Sequence, residues 1–73
     1  MIIEALQKRY EAEIVAAQAN IQVYIDHPVG IGEHPDLVAA VDEQVHIMAE
    51  AKDKLDTIEM YYGDITNWTG GAN

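Results

Sequence analysis

The stretch that decides the fold is DHPVGIGEHPD, residues 26–36, in the middle of the 73-residue chain. The residue before a proline is pushed out of the α region, so Pro28 predicts that a helix ends at Asp26. Proline is favoured at the first position of a helix, so Pro35 predicts that a second helix begins there. Gly30 and Gly32 permit positive φ between the two prolines. The stretch therefore predicts a loop over 27–34 that joins two antiparallel helices.

On the N-terminal side of this loop, apolar residues recur at steps of three and four. This spacing is typical of one face of a helix and not of a strand. It predicts a helix over about 2–26, roughly 37 Å long. The row consists of Ile3, Leu6, Tyr10, Ile14, Ala17, Ile21 and Tyr24.

On the C-terminal side, a second row with the same steps predicts a helix over about 35–62. Asp36 would place a negative charge in the first turn, with His34 as a weak N-cap, and Gly63 would be the residue that ends the helix. Residues 63–73 show no helical period and are expected to form an irregular C-terminal arm. The predicted fold is thus an all-α, coiled-coil-like hairpin of two antiparallel helices. The second row consists of Leu37, Val41, Val45, Met48, Ala51, Leu55, Ile58 and Tyr62.

More apolar residues are present than the contact between two helices requires. Two helices bury one stripe each, and a chain of this size has a marginal core by itself. We therefore expect the hairpin to complete a bundle, either as a homo-oligomer or by docking on a larger protein. The apolar residues outside the two rows are Ile2, Val15, Val23, Ile25, Val38, Ile47, Met60 and Tyr61.

The charge of the chain limits its partners. There are 13 Asp and Glu against 4 Lys and Arg, which gives a formal net charge of −9. Nucleic acids and anionic lipids are bound by clustered cations, so neither is an expected partner. No cysteine is present, which excludes disulfides and thiolate chemistry. The N-terminal residues lack the order of a signal peptide, and no apolar run reaches the length of a membrane span.

Three groups of residues have the chemistry of metal ligands. One is His27 and His34 with the acids around them, which more simply border the prolines at the helix ends. The others lie on the second helix, where helical spacing aligns possible ligands. These are the set Asp42, His46 and Glu50, and the Glu43–His46 pair that matches the Glu-x-x-His pattern of di-iron bundles.

A solvated acidic face is the preferred interpretation of the second helix. A partner glutamate from the first helix would have to come from Glu4, Glu11 or Glu13, which lie outside its apolar row. Gly30-Ile31-Gly32 follows a helix and lacks the Lys-Ser/Thr of a phosphate loop. No nucleophile–base pair is evident, so no catalytic residue, metal or cofactor is predicted, and the chain is not expected to be an enzyme.

Six apolar or aromatic residues are the predicted partner contacts. Two lie at the tip of the hairpin, where solvent-exposed residues are usually polar, and two lie in the C-terminal arm. The tryptophan of the arm has two interpretations, an anchor on a neighbouring subunit or a side chain folded back over the hairpin. The six residues are Val29, Ile31, Ile65, Trp68, Tyr61 and Tyr62.

Two stretches, PVGIGEHPD (28–36) and AEAKDKLDTIE (49–59), give the chain a resemblance that covers about residues 10–59. In these two stretches the chain resembles small helical-hairpin proteins of tailed bacteriophages, in particular those of myovirus-like phages that infect marine cyanobacteria. The resemblance implies a phage origin and a helical hairpin, and it carries over no functional residues. With that origin we expect a non-enzymatic virion accessory, in the virion or the host cytoplasm, that contacts itself or a larger phage structural protein. The alternative is a free acidic effector that binds a basic host or phage protein.

Overall fold

The computed structural model describes residues 1–28 and 36–71, with the backbone alone for 64–71. Two helices, α1 (Ile2–Asp26) and α2 (Leu37–Gly71), lie side by side. They are antiparallel, because residues late in α1 contact residues early in α2 and the reverse. Asn20 contacts Gln44, and Tyr10 contacts Lys54. The predicted all-α hairpin of two antiparallel helices is confirmed.

The end of α1 lies where Pro28 predicts it. Helical dihedrals end at Asp26, and His27 takes φ −137° and ψ 62°. The N–H of His27 still donates to the carbonyl oxygen of Val23, at 2.8 Å. The last turn is thus closed by a backbone hydrogen bond before the proline turns the chain.

The beginning of α2 differs from the prediction by two residues. Asp36 precedes the helix, and its Oδ1 accepts the N–H of Ala39 at 2.9 Å, while its carbonyl oxygen accepts the N–H of Ala40 at 3.0 Å. Asp36 is therefore the N-cap, a position where aspartate is strongly preferred. The helix begins at Leu37 and not at residue 35. The predicted weak cap, His34, lies outside the described residues.

The end of α2 corrects the expectation of an irregular arm. The backbone leaves helical dihedrals at Tyr62, with φ −134° and ψ 19°, and then continues as a helix to Gly71. Gly63 has no left-handed φ, so it does not terminate the helix. The reason is that glycine permits a left-handed stop but does not impose one. Tyr62 is thus a kink at the predicted boundary, and the backbone of 63–71 is helical.

The contact between the helices, hereafter the seam, follows the α1 row fully and the α2 row with two exceptions. Every residue of the α1 row is at least half-buried. On α2, Val45 and Tyr62 are 47% and 48% exposed, and Gln44 is half-buried beside Val45. Three apolar residues within the described ranges are buried, namely Ala17, Ala51 and Ile58, and two of them are alanines. The hairpin alone therefore has a thin core.

Candidate interaction surface

A shallow groove follows one flank of the hairpin between α1 and α2. It consists of three open depressions, of about 440 Å³ near the loop, 260 Å³ in the middle and 340 Å³ farther away. The middle and far depressions share Ile14 and Lys52, and Val41 of the first lies one turn from Val45 of the second. We call the three together the side groove.

The loop-proximal half of the side groove is apolar. α1 contributes Ile14 and Ile25, and α2 contributes Val38, Val41 and Val45. Val38 is 82% exposed, although it is a large aliphatic residue on an ordered helix. Adjacent apolar side chains in a concave surface are typical of a site where another apolar surface packs.

The loop-distal half of the side groove combines apolar side chains with charged ones, and most of the charged ones are acidic. Its lining includes the carboxylates of Glu11, Asp56 and Glu59. Lys52 lies among them, with its Nζ at 3.1 Å from Asp56 Oδ2. Lys8 lies 3.8 Å from Glu11, but both side chains are largely in water, so this pair is weak. Carboxylates therefore outnumber cations in this half.

A second apolar surface lies at the end of the hairpin opposite the loop. The antiparallel pairing brings the first residues of α1 to the kink of α2. Met1 and Ile2 are exposed there, and so are Met60, Tyr61 and Tyr62. We call these five residues the open-end patch.

Two of the six predicted partner contacts are placed by the structure on this patch. Tyr61 and Tyr62 are both exposed. Val29 and Ile31 lie outside the described residues, as do the side chains of Ile65 and Trp68. The prediction that these four residues contact a partner stays a prediction.

The candidate metal ligands of α2 are solvent-exposed. Asp42, Glu43, His46 and Glu50 all lie on the outer surface, and His27 is exposed at the end of α1. Within residues 1–28 and 36–63, no three His, Asp or Glu side chains lie close enough to hold one ion. Among the described residues, the Glu43–His46 pair thus has no third ligand beside it.

The side groove is not predicted from the sequence. Its signal was present as apolar residues one position after those of the seam, at Val38 and Val45, with Ile14 on the other helix. Recognising them as one surface requires the register between the helices, because each helix supplies only one wall. The periodic rows alone do not give that register.

Comparisons with known proteins give no family for this chain. No family model matches it, and searches of curated proteins and of solved structures found no similar chain. The resemblance to phage hairpin proteins therefore stays a prediction. Among the described residues, neither helix has a stretch that is both long and apolar enough to cross a bilayer.

Proposed function

We propose that this chain is a non-enzymatic interaction module, a helical hairpin that completes its core by packing against another protein surface. One observation carries the proposal, the contrast between buried and exposed apolar residues. Three apolar residues are buried in the described ranges, two of them alanines, while ten large ones are exposed. Burying apolar surface gains about 25 cal/mol per Å², so covering these side chains would contribute much of the stability that the hairpin lacks.

Most of the exposed apolar residues are grouped and not scattered, which supports a packing role. Single exposed apolar residues are normal on a protein surface, whereas contiguous ones mark interaction sites. Here eight of the ten lie in two groups: three line the apolar half of the side groove, and five make up the open-end patch. Within the setting that the resemblance implies, the partner is another copy or a larger phage structural protein, and the chain is a virion accessory.

The oligomeric state and stability of the isolated chain test this proposal. We expect light scattering to find an assembly, or thermal unfolding to show a melting temperature that rises with protein concentration. A stably folded monomer, with the same melting temperature over a hundredfold dilution (about 2.7 kcal/mol in concentration terms), would contradict it unless an added partner raises that temperature. Mass spectrometry of purified particles of a phage that encodes the chain tests the virion role, and absence from the particles would argue against it.

A second candidate is the free acidic effector that binds a basic protein. The observation in its favour is that each described lysine lies near a carboxylate or an aromatic ring of its own chain. Lys52 pairs with Asp56, Lys8 lies near Glu11, and Lys54 lies over the ring of Tyr10. These contacts leave the net charge at −9, so carboxylates still outnumber cations on the surface offered to a basic partner.

A further inference from the structure

We propose that the side groove binds a basic amphipathic helix of a partner protein. This inference rests on the proposed function and names the chemistry of the partner. The apolar stripe of the partner helix would lie in the loop-proximal half, and its Lys and Arg residues would lie over the loop-distal half. The two halves of the groove differ in chemistry, and that difference selects the partner.

The shape of the groove suits a helix. It follows the helix axes from Ile25 and Val38 at one end to Glu11 and Glu59 at the other. Between these ends, α1 contributes Ile14 as one wall, and α2 contributes a stripe with helical steps as the other. A third helix in such a groove buries residues spaced i, i+3, i+4 and i+7, which is a common mode of peptide recognition.

The charges of the groove favour a cationic helix. In its loop-distal half, the carboxylates of Glu11, Asp56 and Glu59 outnumber the ammonium groups, which are those of Lys52 and of Lys8 beside Glu11. Beside its apolar half, Asp42 is exposed on α2 between Val38 and Val45. The whole chain carries −9. A partner with flanking Lys or Arg would gain attraction along the groove and faster association, whereas an acidic partner would be repelled.

A second copy of the chain fits this groove less well. A pair of copies with two-fold symmetry places the same surface on both sides of the interface. If the two loop ends meet, the apolar halves cover each other, but Glu11, Asp56 and Glu59 face their own copies. If the loop end of one copy meets the open end of the other, apolar residues cover carboxylates. Neither arrangement satisfies both halves.

Two synthetic peptides of roughly 20 residues, about 30 Å as helices, test the proposal directly. In the first peptide, one half of the helix carries a stripe of leucines, and the other half carries lysines on the same face. The second peptide has glutamate in place of each lysine. We expect fluorescence anisotropy to show the lysine peptide binding at least about tenfold more tightly at low salt, with the difference falling as salt rises.

Matched variants locate the site. Val45→Lys adds a charge in the groove. Val15→Lys adds the same charge on the outer face of α1, where Val15 is 62% exposed. We expect the first to weaken binding of the lysine peptide about tenfold or more and the second to change it little. Far-UV circular dichroism of both variants shows whether the hairpin is still folded.

A second pair of variants tests the charges with less risk to folding. Glu11→Gln with Glu59→Gln removes two groove carboxylates, and Glu43→Gln with Glu50→Gln removes two from the outer face of α2. We expect only the first pair to reduce the preference for the lysine peptide. All four glutamates are exposed, so their replacement by glutamine disturbs no buried contact.

Three outcomes would overturn the inference. These are equal binding of the two peptides, equal effects of Val45→Lys and Val15→Lys, and a dimer of the chain alone that Val45→Lys disrupts. The third outcome assigns the groove to a second copy and leaves the proposed interaction role in place. A stable monomer that binds neither peptide would instead contradict both this inference and the proposed function on which it rests.

Discussion

The side chains of Asn20 and Gln44 are joined by a hydrogen bond across the two helices, from Nδ2 of Asn20 to Oε1 of Gln44, at 3.1 Å. Gln44 is half-buried and lies between Val41 and Met48 in the seam. Asn20 is exposed at the edge of the seam, so this hydrogen bond contributes little net stability. It does disfavour other alignments, because a shifted register would leave one amide facing apolar side chains.

Replacing both amides should stabilise the hairpin and reduce its specificity. We expect Asn20→Leu with Gln44→Leu to raise the free energy of unfolding by about 1 kcal/mol, since apolar side chains then fill the seam. Gel filtration with light scattering should show additional oligomeric species. Gln18→Leu, at an exposed position of α1, is the control for adding leucine. A double variant that is less stable in urea than the parent would contradict the role assigned to this pair.

The N-cap of α2 gives a prediction with a conservative control. Asp36→Ala removes the acceptor of the Ala39 N–H and should lower the free energy of unfolding by about 1 kcal/mol. Asp36→Asn keeps a side-chain oxygen at the same position and should cost much less, since asparagine caps nearly as well. Urea unfolding monitored by circular dichroism measures both. Equal losses for the two variants would show that charge, and not the hydrogen bond, is what matters.

The structure also shows which parts of the fold a sequence can predict. The stop at Asp26 was predictable because a proline acts on its immediate neighbour. The half-buried row of α1 was predictable because its apolar residues already have the spacing of one helix face. In both cases the determining interaction is local, within about one helical turn.

The parts that were missed depend on the partner helix or on backbone dihedrals. The apolar spacing of α2 predicts Val45 as a residue of the seam, but Gln44 takes that place. The reason is that two paired helices keep an average spacing of 3.5 residues along their contact. The negative charge of Asp36 at the start of α2 was predicted. Its position as the cap depends on its own backbone conformation and its bond to Ala39.

The least exposed of the described residues is Ala51, at 0%. Ala51→Leu should lower the free energy of unfolding by about 1–3 kcal/mol, because the added atoms must push the helices apart. Ala49→Leu, two residues away on the exposed surface, places the same side chain at the side groove and should leave stability nearly unchanged. Thermal unfolding of the two variants at one concentration tests this. Equal stability would mean that the seam tolerates a wider separation.

The helical backbone beyond the kink gives a prediction at Gly63. Among the described residues, a Cβ at this position would meet no atom within 4 Å apart from its chain neighbours and the backbone of its own helix, and the φ of Gly63 is not left-handed. Gly63→Ala should therefore raise the free energy of unfolding by about 0.5–1 kcal/mol and increase the helical circular dichroism signal. If Gly63 ended the helix in a left-handed conformation, as the sequence first suggests, alanine would instead destabilise the protein. The sign of the change decides between the two conformations.

A charged side chain of α2, that of Lys54, contacts the ring of Tyr10 on α1. The Nζ of Lys54 lies 5.2 Å from the centre of the Tyr10 ring, within the range of a cation–π interaction. Lys54→Ala should cost about 0.5–1 kcal/mol, and Lys54→Arg should cost little because the guanidinium can take the same place.

Lys52→Ala is the matched control for Lys54→Ala, since it removes the same charge but only an exposed pair with Asp56 within one helix. That pair is worth about 0.3–0.5 kcal/mol, so the two variants should differ in urea unfolding. In a double-mutant cycle, Tyr10→Leu should abolish most of the effect of Lys54→Ala and leave that of Lys52→Ala unchanged. If the two lysine variants respond alike to Tyr10→Leu, the ring contact does not stabilise the hairpin, and the charge of Lys54 acts only through the general field of an acidic chain.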